Sequence, residues 1–148
     1  MLRRFPSGVA VVTVDLEGER IGLTVGSLVS LSLDPPLLGV AVSRQAALHE
    51  LLRRAGSFGV SLLGEGQETL AARFSRGVPP IALWTDVEVR EGTLGAPLLE
   101  GSLGWLECET RAEHATGDHT LFVGEVVSAE PGPARRPLVY LDQRFVPV

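Results

Sequence analysis

The fifteen-residue stretch VSLSLDPPLLGVAVS, residues 29–43, limits what this chain can fold into more than any other segment. Residues 29–33 alternate apolar and polar side chains, which is the period-two pattern of a β-strand. The pattern predicts that Ser30 and Ser32 share one face and that the apolar side chains share the other. The prolines that follow cannot donate to a strand ladder and end this strand. Residues 37–43 are apolar at odd and even positions, which predicts an interior strand covered on both faces.

Similar patterns continue along the rest of the chain. Further strands are predicted over residues 8–14, 21–27, 58–63, 84–90, 103–111, 120–129 and 138–141. Leucine and alanine recur at helical spacing in residues 46–56, which end at Gly56, and a second short helix is predicted over residues 67–75. Residues 130–137 read as a loop. Short connections favour antiparallel pairing, so we expect a mainly β fold, an antiparallel barrel with two short peripheral helices.

Composition restricts the function classes. The 148 residues predict a single domain over residues 1–148, and 45% hydrophobic against 21% charged residues argues against disorder. The net charge is −5 and no basic stripe interleaves with aromatic residues, so no nucleic-acid partner is expected. The single cysteine, Cys108, forms no internal disulfide. Neither a secretory leader nor an apolar run of about 20 residues is visible, so a cytoplasmic protein without a membrane partner is expected.

Standard nucleotide, hydrolase and metal motifs are missing from the sequence. No G-x-G-x-x-G joins a strand to a helix, no Walker A motif is present, and no G-x-S-x-G nucleophile turn occurs. Cys108, His114, Asp118 and His119 could together be considered as metal ligands. Their spacing matches no zinc pattern, so no metal site is predicted.

The hydroxyl-rich stretch of residues 22–36 is the first candidate binding segment. Thr24 and Ser27 carry hydroxyls near the end of a predicted strand, and Ser30 and Ser32 follow on the next one. Hydroxyls and main-chain N–H groups suit a phosphate or the carbonyl edge of a planar heterocycle. Glycines at positions 22 and 26 would let a flat ring approach the backbone. The alternative is an ordinary strand with a polar outer face.

Two further polar segments complete the candidate constellation. Ser43, Arg44 and Gln45 precede a predicted helix start, where free N–H groups and an arginine fork suit a phosphate. Their alternative role is helix capping. Asp118 and His119 open the strand 120–129, and His119 is the strongest general acid–base candidate, with Asp118 able to set its tautomer. The alternative is a solvent-facing Gly-Asp turn. His49, in the first helix, is interpreted as a packing or surface residue.

At this point a resemblance to a known family becomes visible. The segments RFPSGVAVVTV, GLTVGSLVSLSLDPPLLGVAV, FGVSLL, LGWLEC, GDHTLFVGEV and PLVYLDQRF occur in this order. Together they resemble the flavin reductase family with the FMN-binding split barrel, the small reductase components of two-component monooxygenases. The resemblance covers nearly the whole chain, and its most specific part is SLDPPL combined with GDHTLFVGEV.

The resemblance implies an NAD(P)H-dependent flavin reductase built as a homodimer of antiparallel split β-barrels. It implies FMN, or FAD, as the flavin, NADH or NADPH as the co-substrate, and a partner oxygenase that receives reduced flavin. His119, supported by Asp118, is implied to lie beside the nicotinamide and the flavin. The implied cofactor-binding residues are Gly22, Thr24, Val25, Gly26, Ser27, Ser30, Ser32, Ser43, Arg44, Gln45 and Arg144.

Two departures from the family pattern affect these expectations. Only four residues precede Phe5, where family members usually begin with a longer helix, so a smaller dimer contact or pocket wall is expected. Gly26 stands where the family often has serine or alanine, so one hydroxyl is missing while the backbone contact remains. The competing hypotheses are a non-catalytic flavin-binding or flavin-delivery protein and an unliganded structural barrel.

Overall fold

The computed structural model describes residues 1–75 and 78–148. Within these ranges the chain forms one 3₁₀ turn, Leu2–Arg4, and three α-helices: α1 Ala47–Ala55, α2 Glu68–Ser75 and α3 Pro80–Leu83. It also forms twelve strands. These are β1 Ser7–Gly8, β2 Ala10–Leu16, β3 Glu19–Val25, β4 Val29–Leu33, β5 Pro36–Ser43, β6 Ser57–Leu62, β7 Val89–Glu91, β8 Pro97–Leu99, β9 Gly104–Thr116, β10 His119–Pro131, β11 Leu138–Leu141 and β12 Arg144–Pro147.

The main sheet has seven strands in the order β3-β2-β6-β9-β10-β5-β4. All of its neighbouring strands pair antiparallel, as do those of the smaller sheets β1-β11-β12 and β7-β8. The mainly β, antiparallel prediction is therefore confirmed. In the described part of the chain, β3 and β4 are the edge strands of the main sheet.

The long hairpin of β9 and β10 organises this sheet, because each strand spans 13 residues and pairs with a different neighbour on its other side. The register shifts between Val123 and Gly124 and again between Val126 and Ser128, which are β-bulges that bend the hairpin. Gly124 is required at the first bend: an added Cβ would lie 2.6 Å from Cζ of Phe58 and 2.8 Å from Cβ of Cys108. The hairpin can therefore curve around the core.

The core lies on both faces of β2. Val12 and Val14 belong to a cluster that α1 covers with Leu48, Leu51 and Leu52, and this cluster includes the fully buried rings of Phe58 and Phe122. Val11 belongs to a second cluster beneath α2, whose members are Val9, Val11, Leu63, Ala71, Phe74, Leu83, Leu99 and Leu138. The main sheet is thus covered by α1 on one face and by α2, α3 and the C-terminal hairpin on the other.

Three sequence predictions need correction. A strand was expected over residues 84–90, but Pro79 and Pro80 begin a third helix, α3, and the strand β7 starts only at Val89. Trp84 belongs to the bend between them and donates its indole N–H to the carbonyl of Arg20. Strand β10 extends to Pro131, into the expected loop. The chain therefore has three peripheral α-helices rather than two.

The interior strand β5 also differs from expectation. It does lie between β10 and β4, but only one of its faces is fully buried, with Leu38, Val40 and Val42 at 5%, 0% and 0% exposure. On its other face, Leu37 and Ala41 are only half-buried. The strand is therefore apolar on both faces, but its own chain covers only one of them completely.

Candidate functional site

The tip of the β9–β10 hairpin presents Asp118 and His119. Gly117 has φ of 77° and opens a two-residue turn, and the hydroxyl of Thr116 donates to the carbonyl of His119 at 3.1 Å. Nδ1 of His119 lies 2.7 Å from Oδ1 of Asp118, and the side chains are 44% and 95% exposed. A proton on Nδ1, donated to the carboxylate, leaves Nε2 of the neutral ring as an acceptor.

The electrostatics of this pair follow from the same contact. The hydrogen bond from His119, followed by the charge of that ring, lowers the pKa of the Asp118 carboxyl below its usual value. The carboxylate therefore stays ionised at neutral pH and remains an acceptor for the His119 ring. The arrangement fixes one tautomer of an exposed imidazole, which suits a residue that receives a hydrogen bond from a ligand.

The segment that precedes α1 lies directly against this hairpin tip. Ser43 is the strand partner of His119, the main-chain N–H of Arg44 donates to the carbonyl of Asp118 at 3.0 Å, and the Arg44 guanidinium donates to the carbonyl of Gly117 at 3.4 Å. Gln45 donates its main-chain N–H to the hydroxyl of Ser43 at 3.3 Å. The structure thus brings together all five candidate residues of these two segments.

Helix capping, the alternative role for Ser43 and Gln45, is not what the structure shows. The N-cap of α1 is Ala46, which has no side chain able to cap. His49 behaves as expected for a packing residue: its Nε2 lies 2.7 Å from the hydroxyl of Thr120, and its ring meets Phe122 edge-on at 5.5 Å. Helix α1 is therefore bonded to strand β10 immediately beneath His119.

Ser27 joins the serine-rich segment, residues 22–36, to strand β5 near the hairpin tip. Its hydroxyl donates to the carbonyl of Ala41 at 2.9 Å and accepts from the N–H of Ala41 at 3.0 Å. Ala41 precedes Ser43 by two positions along β5, a separation of about 7 Å at the usual strand rise. Ser27, Ser43 and His119 therefore lie close together at the ends of their strands. This edge of the main sheet is called the rim below.

Thr24 and Gly22 contact helix α2, whereas the sequence interpretation has them contacting a ligand. The Thr24 hydroxyl donates to the carbonyl of Ala71 in α2 at 2.8 Å. A Cβ on Gly22 would lie 2.9 Å from two ring carbons of Phe74, so the space beside this glycine is filled by α2. The Ser27 hydrogen is also donated within the chain, so neither hydroxyl has a hydrogen left for a ligand.

Ser30 and Ser32 do not share a face, contrary to the prediction. The β4–β5 register shifts between them, so Ser30 lies opposite Leu38 and Ser32 lies opposite Leu37. Because adjacent residues of a strand point to opposite faces, this bulge at Leu31 places the two hydroxyls on opposite sides of the sheet. Both nevertheless line one pocket at the β4–β5 edge.

A cavity of about 320 Å³ lies against the Thr24–Gly26 segment. It is lined by Val9, Thr24, Val25, Gly26, Ala72, Ser75, Tyr140, Gln143 and Phe145. Its volume is within the usual range of small-molecule sites, about 300–1,000 Å³. Arg144 belongs to the same C-terminal hairpin but is not among the lining residues. Tyr140, Gln143 and Phe145 were missed from sequence, since only a strand over residues 138–141 was predicted there and not the hairpin that it forms with β12.

Metal ligands do not cluster in residues 1–75 and 78–148, where no three His, Cys, Asp or Glu side chains come together. Cys108 lies in the core, and burial, with a smaller contribution from Glu107, raises the pKa of its thiol to about 12. Within the same ranges, no helix has the length and apolar character needed to cross a membrane.

Together the fold and the rim define a class: a small antiparallel β-protein whose strand ends and histidine hairpin lie side by side, with no glycine-rich nucleotide loop in the sequence. The chain belongs to the flavin reductase-like family, since the family described as "Flavin reductase like domain" matches residues 2–148.

Individual relatives agree with this assignment. The chain is 40% identical over 144 residues to the NADH-dependent FAD reductase of Streptomyces globisporus, covering 95% of this chain and 79% of that protein. It is also 40% identical over 144 residues to the reductase component of 4-hydroxyphenylacetate 3-monooxygenase from Thermus thermophilus, covering 97% and 90%. The solved structure of the Streptomyces globisporus NADH:FAD oxidoreductase with NAD and FAD fragments gives a TM-score of 0.92 at 38% identity, covering 98% and 87%.

Proposed function

We propose that this protein is an NADH-dependent flavin reductase that supplies reduced flavin to a separate oxygenase. The observation that supports this most directly is the shared rim, in which Ser43 is paired with His119 and Ser27 is bonded to Ala41, two residues before Ser43 on β5. The named relatives include an NADH-dependent FAD reductase and the reductase component of a monooxygenase, so the same reaction and the same kind of partner are proposed here.

The residues of the rim fit a flavin and a nicotinamide. When bound, the flavin accepts a hydride from NADH and holds the two electrons. Main-chain N–H groups of residues 24–27 would serve a ring edge, on a segment that the hydroxyls of Thr24 and Ser27 hold in place. Arg44 keeps guanidinium donors beyond its contact with Gly117 and can pair with a phosphate.

His119 is proposed to orient the nicotinamide. With Asp118 accepting from Nδ1, Nε2 of the neutral ring is the acceptor that would receive an N–H of the carboxamide. Hydride transfer depends steeply on the alignment of donor and acceptor, and losing this contact is expected to slow it by about 10- to 100-fold.

The reductase activity is tested by mixing the protein with flavin and NADH without oxygen and following the loss of the flavin's visible absorbance. Rapid bleaching that depends on the protein is expected. Flavin binding without bleaching would replace the reductase proposal by the flavin-delivery alternative, and absence of flavin binding would leave only a structural domain.

The role of His119 is tested with His119→Ala. We expect slower reduction and a flavin Kd within about twofold of the original, since the side chain is proposed to contact the nicotinamide. His114→Ala is the matched control, because His114 is an exposed histidine of the same hairpin, opposite Leu121. A weaker flavin affinity with an unchanged reduction rate would assign His119 to flavin binding instead.

A homodimer is proposed as the working form. Val29 and Leu31 are 44% and 47% exposed on edge strand β4, and both contact the Gly39 side of β5, which is its incompletely covered face. A second copy would cover this apolar surface. Light scattering should give twice the chain mass, and Leu31→Glu should shift it towards the monomer. We further propose a cytoplasmic location, where an unpaired cysteine such as Cys108 is ordinary.

A further inference from the structure

The turn between β11 and β12 holds two non-glycine residues in the left-handed region. Asp142 and Gln143 have φ of 53° and 64°, and Leu141 pairs with Arg144 across this two-residue turn. Turns of this mirror type favour Asp-Gly or Asn-Gly, because an L side chain is disfavoured at positive φ. Asp142 is a common residue at the first position, whereas glutamine at the second costs stability that glycine would not.

The strained position lies at the cavity described above. Gln143 is one of its lining residues, and so are Tyr140 and Phe145, whose rings contact each other at 5.1 Å and 53°. The turn is held in place, since the main-chain N–H of Asp142 donates to the carbonyl of Arg3 at 2.7 Å. Gln143 therefore lies on an anchored turn beside an aromatic pair, at a cavity that the Thr24–Gly26 segment also lines.

We propose that Gln143 recognises the edge of a planar ring bound in this cavity, by pairing its amide N–H and C=O with an adjacent acceptor and donor on that ring. The inference rests on the proposed function, because the flavin pyrimidine ring and the nicotinamide carboxamide both carry such a pair. A primary amide matches it with two hydrogen bonds in one plane, and the aromatic pair and Val9 supply the apolar surround.

The diagnostic experiment substitutes Gln143→Gly in the full-length protein. Glycine relieves the backbone strain, so the unfolding midpoint should rise by about 3 °C. The same change removes the paired hydrogen bonds, so the affinity for the ring should fall by about tenfold. Opposite signs of these two effects distinguish a ligand-reading residue from a scaffold residue, whose loss would lower both.

Asp142→Gly is the matched control. It relieves the same kind of strain one residue earlier, and Asp142 is not among the cavity-lining residues. Its ion pair with Arg3 is long, at 3.9 Å between exposed side chains, and contributes little. The control should raise the midpoint and leave flavin Kd and the KM for NADH unchanged.

Two measurements identify the ring. A raised Kd for FMN assigns the flavin edge, if the wild-type protein also binds 3-methyl-lumiflavin more weakly than lumiflavin and the variant binds the two equally. A raised KM for NADH, with reduced 3-acetylpyridine adenine dinucleotide used equally by both proteins, assigns the carboxamide. Changes below twofold in both constants, or a lowered midpoint with weaker binding, would overturn the inference. If the wild type binds FMN without reducing it but Gln143→Gly still weakens FMN binding, the reductase proposal fails and the inference stands.

Discussion

Replacing Ser27 by alanine should destabilise the protein before any flavin is added. In the β4–β5 register Val29 lies opposite Gly39, so Ser27 lies opposite Ala41, at the next position of the ladder. There its hydroxyl accepts from one main-chain group of Ala41 and donates to the other, at 3.0 and 2.9 Å. The Ser27 side chain thus takes the place of a main-chain N–H and C=O in the β4–β5 ladder.

The expected cost follows from these two hydrogen bonds. Each contributes about 0.5–1.5 kcal/mol net, and Ala41 is half-buried, so water can reach its freed groups in part. The free energy of unfolding should therefore fall by about 1–2 kcal/mol in Ser27→Ala. For a chain of this size that corresponds to a Tm lower by about 3–8 °C.

Urea unfolding of the flavin-free protein measures this cost, and a flavin titration of the same preparations measures the effect on binding. Flavin affinity should fall as well, because Gly26 and its neighbours lose their anchor to β5. Ser30→Ala is the matched control: it removes an exposed hydroxyl three residues away and should change stability by less than about 0.5 kcal/mol. Unchanged stability of flavin-free Ser27→Ala, together with much weaker flavin binding, would refute a strand-joining role and make the hydroxyl a direct flavin ligand.

Three further substitutions or reactions probe the surroundings of the site. Gly22→Ala should lower stability by about 1–3 kcal/mol because its Cβ meets Phe74, while flavin Kd stays constant; a change in Kd alone would contradict this packing role. His49→Leu should cost about 1–2 kcal/mol in urea unfolding by leaving the buried Thr120 hydroxyl unpaired, and His49→Gln should restore most of it; equal losses in both would argue against the hydrogen bond. Cys108 should resist iodoacetamide until the protein unfolds, since its pKa is raised to about 12; because the unfolded thiol titrates near 9.0, stability should decline as pH rises from there, and rapid labelling of native protein would contradict its burial.

Much of the fold could be predicted because local pattern and tertiary structure agree. The hairpin of β2 and β3, helix α1 with its stop at Gly56, and strand β11 lie close to where alternation, helical spacing and turn residues predicted them. The bulge at Leu31 could not be predicted, since a strict alternation of serine and leucine gives no sign of an extra residue in one strand. Helix α3 was missed because a single turn after two prolines has no measurable periodicity.

The same distinction holds for the candidate site: its local segments could be predicted, and its long-range contacts could not. Residue chemistry alone pointed to the GDH hairpin and the segment before α1, the resemblance added their roles, and the structure pairs Ser43 with His119. Sequence spacing could not indicate that the Thr24 and Ser27 hydroxyls bond within the chain, because their partners, in α2 and β5, are distant in sequence. The cavity was missed for a related reason: it forms only where the C-terminal hairpin packs beside β3, an association that no local pattern specifies.

The internal hydrogen bonds divide the residues of the site into two groups, according to whether substituting a residue should lower stability. Thr24 and Ser27 have already donated their hydroxyl hydrogens, so each fixes the backbone that a ligand would contact, and replacing either should reduce stability and affinity together. His119 and Gln143 hold exposed or cavity-lining groups on hairpin turns, and replacing either should change ligand handling without lowering stability. Specificity in this protein would then be set by residues at two turns, while the strand ends keep the ring-binding backbone rigid.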